Sequence, residues 1–222
     1  MLTVNEIISG YQSGRFPMGD SNSDCITWHQ PELRGTLPIA EFHVPSRLRR
    51  SIRKNLMSKN SMWNITLDTA FYDVMHKCAE PQDSRPSTWI TNDIVNVYGK
   101  LHTMGLAHSV EVWASPNEVN IIPKLVGGLY GVAINGAFFG ESMFSIATDA
   151  SKIALVQLMS RLRHGGFVLC DIQFFNRHFY QFGEVVIPCD DYLDALRVSS
   201  GVDASWLTLD EYDEHSAFVD ML

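Results

Sequence analysis

The chain has 222 residues, of which 45% are apolar and 19% are charged, a composition that excludes intrinsic disorder and favours one large domain, or one domain with a small appendage. No run of 18 apolar residues occurs and Glu6 interrupts the start, so we expect no membrane span, no signal peptide and a cytoplasmic protein. Four scattered cysteines without a Cys-x-x-Cys motif, and histidines without ligand spacing, predict reduced thiols and no metal site.

The formal net charge of −8 is distributed unevenly. Residues 190–222 contain nine acidic residues and one arginine, and we expect this acidic tail to be mobile over part of its length. Residues 41–60, in contrast, contain six basic residues and one acid. A local basic stripe indicates a phosphate-bearing partner, whereas the overall charge describes solubility.

The N-terminal stretch is predicted to be a short helix at 3–12 followed by a break and a polar loop to residue 31. It is too small to hold its own core, so we divide the chain into a short N-terminal subdomain, 1–34, and a main domain, 35–222. A strand at 37–44 is expected to precede a helix at 45–56, whose buried face repeats every four residues.

The opposite face of that helix is basic, with Arg47, Arg49, Arg50, Arg53 and Lys54. Charged stripes are most often solvated helix faces. Because no acid is interleaved to form i,i+4 pairs, we favour phosphate contact for this face.

Further elements follow with regular apolar spacing. We predict strands at 63–66, 108–113 and 184–187, and helices at 67–78, 92–104, 177–182 and 191–198.

The most informative stretch is Leu125–Gln173. Two apolar runs flank Asn135-Gly136, which predicts a type I′ hairpin. Asp149 is expected to cap a helix that ends at Gly165 and has one apolar face. The next strand ends with Asp171 and Gln173, which are two apart and therefore share a face.

Several motifs of the chain resemble one family. They are Tyr-Gln-Ser-Gly-Arg-Phe-Pro (11–17), Thr-Trp-Ile-Thr (88–91), Gly-Leu-Ala-His-Ser-Val-Glu-Val-Trp (105–113), Leu-Val-Gly-Gly-Leu-Tyr-Gly-Val-Ala (125–133), Phe-x-Gly-Glu-Ser-Met-Phe-Ser (138–145), Ala-Ser-Lys (150–152) and Asp-x-Gln-x-x-Asn-x-His (171–178). Jointly they resemble the leucyl/phenylalanyl-tRNA–protein transferases. One departure is Met18, which stands where many members have Trp.

The resemblance implies an α+β fold, with a GNAT-like mixed sheet flanked by helices and a short N-terminal subdomain. It also implies transfer of leucine or phenylalanine from aminoacyl-tRNA to the α-amino group of proteins that begin with Arg or Lys, which tags them for N-end rule degradation. The ester is already activated, so we expect no cofactor. We expect a monomer without a membrane partner.

The resemblance also suggests a catalytic group of Asp171, Gln173 and Glu141. An amide is a poor base, so we expect Gln173 to orient the amine while Asp171 attracts or polarises it, with the tRNA ribose hydroxyl as a route for the proton. Glu141 is expected to recognise the amine or the basic side chain, and the alternative is a structural pair with an arginine.

For the leucine or phenylalanine side chain we predict an apolar pocket, although such stripes are usually core. Its candidates are Leu129, Phe138, Leu155, Leu158, Leu162 and Cys170. Trp89 is the candidate for stacking on the terminal adenine, or else a core aromatic. Arg50, Arg53 and Lys54 would hold acceptor-stem phosphates.

Two other functions are compatible with the sequence. The first is an acetyl-CoA-dependent N-acetyltransferase of the same fold, which would require a pyrophosphate-binding loop at the start of a helix. This chain has the acidic Asp149 at that position, which counts against acetyl-CoA. A non-catalytic module that binds tRNA or N-degrons would not need Asp171, Gln173 and Glu141 together.

Overall fold

The computed structural model describes residues 2–20, 25–57, 61–81, 87–116, 122–206 and 220–222. Its helices are α1 (Val4–Gln12), α2 (Ser46–Asn55), α3 (Phe71–Ala79), α4 (Asn92–Thr103), α5 (Ala150–His164) and α6 (Cys189–Ser200). Its strands are β1 (Phe16–Gly19), β2 (Ile26–His29), β3 (Leu33–Thr36), β4 (Trp63–Leu67), β5 (Ala107–Ala114), β6 (Lys124–Ile134), β7 (Ala137–Ser145), β8 (Leu169–Gln173) and β9 (Val185–Pro188). A 3₁₀ turn spans Tyr180–Phe182.

A seven-stranded mixed sheet forms the centre of the described structure, in the order β4-β5-β6-β7-β8-β3-β9. Neighbouring strands are antiparallel except β7 and β8, which are parallel and are connected by α5. A parallel pair needs such a crossover. Strands β1 and β2 form a separate antiparallel pair.

Helices cover both faces of the large sheet, which gives the α+β architecture that was predicted. Helices α2 and α5 pack in one buried cluster, with core residues such as Ile52, Ile153 and Leu158. Helices α1, α3, α4 and α6 contribute to the other cluster. Because both faces are covered, β5 is buried from Ala107 to Val112 and not only on alternate residues.

Most of the predicted elements are present, and three of them differ. The strand expected at 37–44 is irregular, because Pro38 has no N–H for a ladder, and the real strand is β3, just before it. Residues 16–19 and 26–29, expected to be part of a break and of a polar loop, form β1 and β2. The helix expected at 177–182 is reduced to the 3₁₀ turn.

The β6–β7 hairpin forms as predicted, with Ile134 paired to Ala137. Its turn is not type I′, however, because φ is +52° at Asn135 but is not positive at Gly136. Asp149 precedes α5 but does not cap it: its φ is +70°, and its carboxylate accepts from Lys152 Nζ at 2.8 Å.

Residues 207–219 of the predicted acidic tail lie outside the described residues, whereas its first part, residues 190–200, lies in helix α6. The described parts on either side pack onto the domain: Trp206 Nε1 donates to Asp68 at 3.0 Å, and Met221 is buried. Within the described ranges, none of the helices is both long and apolar enough to cross a membrane.

Candidate functional site

A cavity of about 500 Å³ opens beside the middle of the sheet. Its walls come from β1, β6, β7, β8, α5 and the segments around Trp89 and after Gln173. The polar end holds Glu141 and Gln173, and the rest is mainly apolar and aromatic. The site therefore combines a carboxyl group and an amide at its polar end with an apolar chamber, as a small-molecule or acyl pocket requires.

Glu141 occupies a β-bulge in β7. Tyr130 pairs with Ser142 and Gly131 pairs with Gly140, so Glu141 has no partner in the ladder. Bulges of this kind redirect a side chain and recur beside active sites.

Two buried tyrosines hold the Glu141 carboxylate. Tyr11 from α1 donates to Oε1 at 2.6 Å, and Tyr98 from α4 donates to Oε2 at 3.2 Å. The two hydroxyl oxygens also lie within hydrogen-bonding distance of each other. Because each hydroxyl has one proton, two of these three hydrogen bonds form at once while Glu141 is ionised. Burial raises the pKa of Glu141 to about 7, although the tyrosine hydrogen bonds act in the opposite direction. A carboxyl group with that pKa can accept a proton near neutral pH.

Gln173 stands at the end of β8, 7% exposed, in the cavity wall. Its Nε2 lies 3.3 Å from Glu141 Oε1, to which it donates. Its φ is +60°, a left-handed conformation that few non-glycine residues adopt. Strained backbone of this kind is concentrated at functional sites.

Asp171 lies behind the cavity wall. It is completely buried and receives a bidentate contact from Arg34, with Nε at 2.9 Å and Nη2 at 2.6 Å. Its Oδ2 also accepts from the Tyr192 hydroxyl, and its Oδ1 accepts from the Gln173 backbone N–H. The pairing of β8 with β3 is irregular here. Gly35 pairs with Gln173 and Thr36 pairs with Asp171, so Ile172 has no paired residue in β3.

The apolar chamber is formed by side chains from three strands and from α5. Leu129, Leu155, Leu158 and Cys170 line it, together with Met143 and Ile172. Burial raises the pKa of the Cys170 thiol, so this residue is a neutral, apolar part of the wall.

The mouth of the cavity is aromatic. Phe16, Trp89, Phe174 and Phe175 line it, and Phe174 and Phe175 are about half exposed. Exposed aromatic rings of this kind can stack on unpaired bases.

A family model described as leucyl/phenylalanyl-tRNA protein transferase matches residues 36–197. The chain belongs to this family. A leucyl/phenylalanyl-tRNA--protein transferase from Paramagnetospirillum magneticum is 47% identical over 88% of this chain and 88% of its own length. One of the same name from Hyphomonas neptunium is 46% identical over 90% of this chain and 73% of its own.

Among solved structures, FemX aligns with a TM-score of 0.52 at 14% identity, over 72% of this chain and 60% of that one. This chain therefore shares the fold of FemX, and the aligned part covers less than two thirds of the FemX length.

Not every residue that the sequence suggested lies at the site of this transferase family member. Asp171 does not line the cavity, and its carboxylate forms an ion pair with Arg34. Phe138 and Leu162 are fully buried in the core and do not line the pocket. Phe138 stacks on Trp206 with a ring separation of 5.8 Å. Among the described residues, Glu141 contacts Tyr11, Tyr98 and Gln173, so the alternative pair with an arginine is not formed there.

The basic face of α2 lies outside the cavity. Arg50, Arg53 and Lys54 are exposed on it. Arg49 differs from them because its guanidinium bonds the carbonyl oxygens of Val44 and Leu222.

Sequence reasoning missed four polar partners of the two carboxylates, Tyr11, Tyr98, Arg34 and Tyr192. It also missed the cavity-lining residues Phe16, Met143, Ile172, Phe174 and Phe175. Each tyrosine lies at an apolar helix position, where the spacing indicates only a core residue. Arg34 was expected to be the last residue of the N-terminal subdomain, and a lone cation there gave no signal. Among the described residues, no three His, Cys, Asp or Glu side chains lie close enough to hold a metal ion.

Proposed function

We propose that the protein transfers leucine or phenylalanine from aminoacyl-tRNA to the α-amino group of proteins that begin with Arg or Lys. The observation that carries this proposal is the pairing of Glu141 and Gln173 with an apolar chamber in one cavity. Membership of the transferase family supports the reaction class.

The reaction joins the acceptor nitrogen to the ester carbonyl carbon and breaks the bond from that carbon to the ribose oxygen. The Glu141 carboxylate accepts one proton from the attacking neutral amine and passes this proton to the departing ribose oxygen, so the transfer consumes and releases no net proton. A pKa of about 7 suits Glu141 to this role, because proton transfer is most effective when the pKa is close to the working pH. Gln173 stays neutral and orients the amine through its amide oxygen.

The aminoacyl side chain would occupy the chamber lined by Leu129, Leu155, Leu158, Met143 and Cys170. None of these side chains carries a charge, so the pocket favours an apolar side chain. A pocket of this type separates leucine from phenylalanine by only about 1–3 kcal/mol, which is compatible with acceptance of both.

The tRNA end would enter through the aromatic mouth. Trp89 lines the cavity and is half-buried, so it is free on one side to stack on the terminal adenine. Arg50, Arg53 and Lys54 on α2 would contact acceptor-stem phosphates, which position the tRNA without reading its sequence.

We extend the proposal to the architecture and the setting. The parallel β7–β8 pair with its α5 crossover supports a GNAT-like main domain, and the separate β1–β2 pair supports an N-terminal subdomain. The boundary expected after residue 34 moves to just before Leu33, because β3 (Leu33–Thr36) belongs to the main sheet. A cytoplasmic monomer that tags proteins for N-end rule degradation is consistent with these substrates.

The experiment incubates the protein with radiolabelled Leu-tRNA and matched acceptor proteins beginning with Lys, Arg or Ala. Label on the Lys and Arg proteins alone is the expected result. A parallel reaction with radiolabelled acetyl-CoA tests the acetyltransferase, and acetyl transfer without leucyl transfer would reject the proposal.

A further inference from the structure

Arg34 is a buried cation that no sequence feature had singled out. It lies on β3, which pairs with β8 on one side and with β9 on the other. The side chain is 1% exposed, and all three guanidinium nitrogens have acceptors. Nε and Nη2 reach the Asp171 carboxylate, Nη1 donates to the Gly14 carbonyl at 3.0 Å, and Nη2 also lies 3.3 Å from the Tyr192 hydroxyl.

The guanidinium plane also stacks between two aromatic rings. The Phe16 centroid lies 4.7 Å from Arg34 Cζ, and the Tyr192 centroid lies 4.3 Å from it. Phe16 lines the cavity and packs edge-on against Phe174, with the two ring centroids 5.3 Å apart. Arg34 therefore connects the β1 wall of the cavity to β8 and α6.

The Asp171 carboxylate accepts hydrogen bonds from four donors at and around Arg34. Arg34 supplies two donors, the Tyr192 hydroxyl supplies a third at 2.9 Å, and the Gln173 backbone N–H supplies a fourth at 2.8 Å. The contact from the Gln173 N–H holds the backbone of Gln173, whose φ is +60°. Asp171 can therefore act on the cavity through the Gln173 backbone, while its charge is balanced by Arg34.

We propose that Arg34 is a positioning residue for aminoacyl transfer. It fixes Asp171 so that Oδ1 holds Gln173 in its left-handed conformation, and it fixes the Phe16 wall by stacking. Asp171 serves as a hydrogen-bond acceptor for Gln173, and the substrate does not experience its charge. This inference rests on the proposed function, because Gln173 is the residue that orients the amine.

The first test is Arg34→Lys, which keeps the charge and loses the bidentate fork. We expect kcat for leucyl transfer to fall by about 100-fold, as a displacement of about 1 Å in a catalytic group can cause. KM for Leu-tRNA should change less than about threefold, because Trp89, the apolar chamber and the basic face of α2 are unchanged. Hydrogen exchange of the Gln173 amide, measured without substrate, should accelerate by about tenfold or more as its acceptor is displaced.

The matched control is Arg197→Gln, which breaks an exposed arginine–aspartate pair with Asp194 on α6. Exposed pairs contribute little, so kcat and Gln173 exchange should both equal the wild-type values.

A second pair of variants separates the charge of Asp171 from its acceptor role. Asp171→Ala removes the acceptor and should lose about 100-fold in kcat. The double variant Arg34→Gln/Asp171→Asn removes both charges but keeps an oxygen for the Gln173 N–H and donors for Gly14. It should recover at least about tenfold over Asp171→Ala, and circular dichroism should show a native fold for both.

Two results would overturn the inference. One is an Arg34→Lys protein with wild-type kcat and wild-type Gln173 exchange. The other is a folded double variant as slow as Asp171→Ala, which would mean that the charge of Asp171 is used. If the wild-type protein transfers no leucine, the proposed function fails, and Gln173 exchange in Arg34→Lys still decides the positioning role.

Discussion

The proton acceptor can be tested by moving the pKa of Glu141 without removing its carboxylate. Tyr11→Phe deletes the hydroxyl that donates to Glu141 Oε1 at 2.6 Å. This hydrogen bond lowers the pKa of Glu141, while burial, the larger effect, raises it to about 7. Removing the hydroxyl should therefore raise the pKa further, and less of the carboxylate should be available at neutral pH.

The size of the expected pKa shift follows from the free energy of one hydrogen bond to a charged group. Such a bond contributes about 1.5–3 kcal/mol, and one pKa unit corresponds to about 1.4 kcal/mol, so the shift should be about one to two units. In the wild type about a tenth of Glu141 is ionised at pH 6 and about nine tenths at pH 8. At pH 6 the Tyr11→Phe rate should be about 10- to 100-fold lower than the wild-type rate, and near pH 9 the two should converge.

The assay is single-turnover leucyl transfer to a Lys-initiated protein between pH 6 and 9. The acceptor amine titrates near pH 8, and the ester hydrolyses at alkaline pH, but both effects are common to the two proteins. The ratio of their rates therefore isolates Glu141. Tyr72→Phe, at a half-exposed tyrosine on α3, is the control and should give a ratio near one throughout. A Tyr11→Phe ratio that is constant with pH would refute the assignment of Glu141 as the proton acceptor.

Three further predictions concern other parts of the molecule. Replacing both Arg50 and Arg53 with Gln should reduce the slope of log Kd for Leu-tRNA against log salt by about two, as measured by filter binding; an unchanged slope would remove α2 from the tRNA interface. Leu158→Ala enlarges the chamber and should raise phenylalanine transfer relative to leucine transfer by about tenfold in a competition assay. An unaltered ratio would show that the side chain of the transferred amino acid binds elsewhere. Trp206→Ala loses the stacking on His108 at 4.3 Å and the hydrogen bond to Asp68. In urea titration it should lower the free energy of unfolding by about 3 kcal/mol, whereas a change below 1 kcal/mol would show that this segment contributes little.

Local patterns in the sequence predicted the elements of the fold where periodicity is strong. The apolar spacing of α2, α3 and α4 gave each helix within a few residues, as did the run that became α5. Strand errors arose where backbone chemistry overrides the pattern. Leu37, Ile39 and Val44 look like a strand and are buried, but Pro38 prevents a ladder there.

The site was predicted in part for a different physical reason. Glu141 and Gln173 reach the cavity through a β-bulge and a left-handed residue, and neither feature has a signature in one sequence. The partners of Glu141 and Asp171 are distant along the chain: Tyr11 lies 130 residues from Glu141, and Arg34 lies 137 residues from Asp171. Spacing arguments act within one element, so they could not assign these contacts.

The two carboxylates of the site have opposite environments, and this difference assigns their roles. Asp171 faces a guanidinium and three further donor contacts, so it is held as an ion pair. Among the described residues, Glu141 contacts two hydroxyls and an amide but no cation, and burial raises its pKa from 4.5 to about 7. Neighbouring carboxyl groups with divergent environments commonly divide the work of a site in this way.

The raised pKa of Glu141 also affects stability. Because the folded pKa exceeds the unfolded value, protonated Glu141 favours the folded state below pH 4.5, and this contribution is lost as pH rises through about 7. The loss amounts to about 3 kcal/mol above pH 7. Glu141→Gln should therefore stabilise the fold at pH 8 while lowering kcat by at least about 100-fold, as removal of a general base does. A group that reduces stability at the working pH and is needed for transfer is retained for chemistry, whereas a purely structural Glu141 would give a Gln variant with normal kcat.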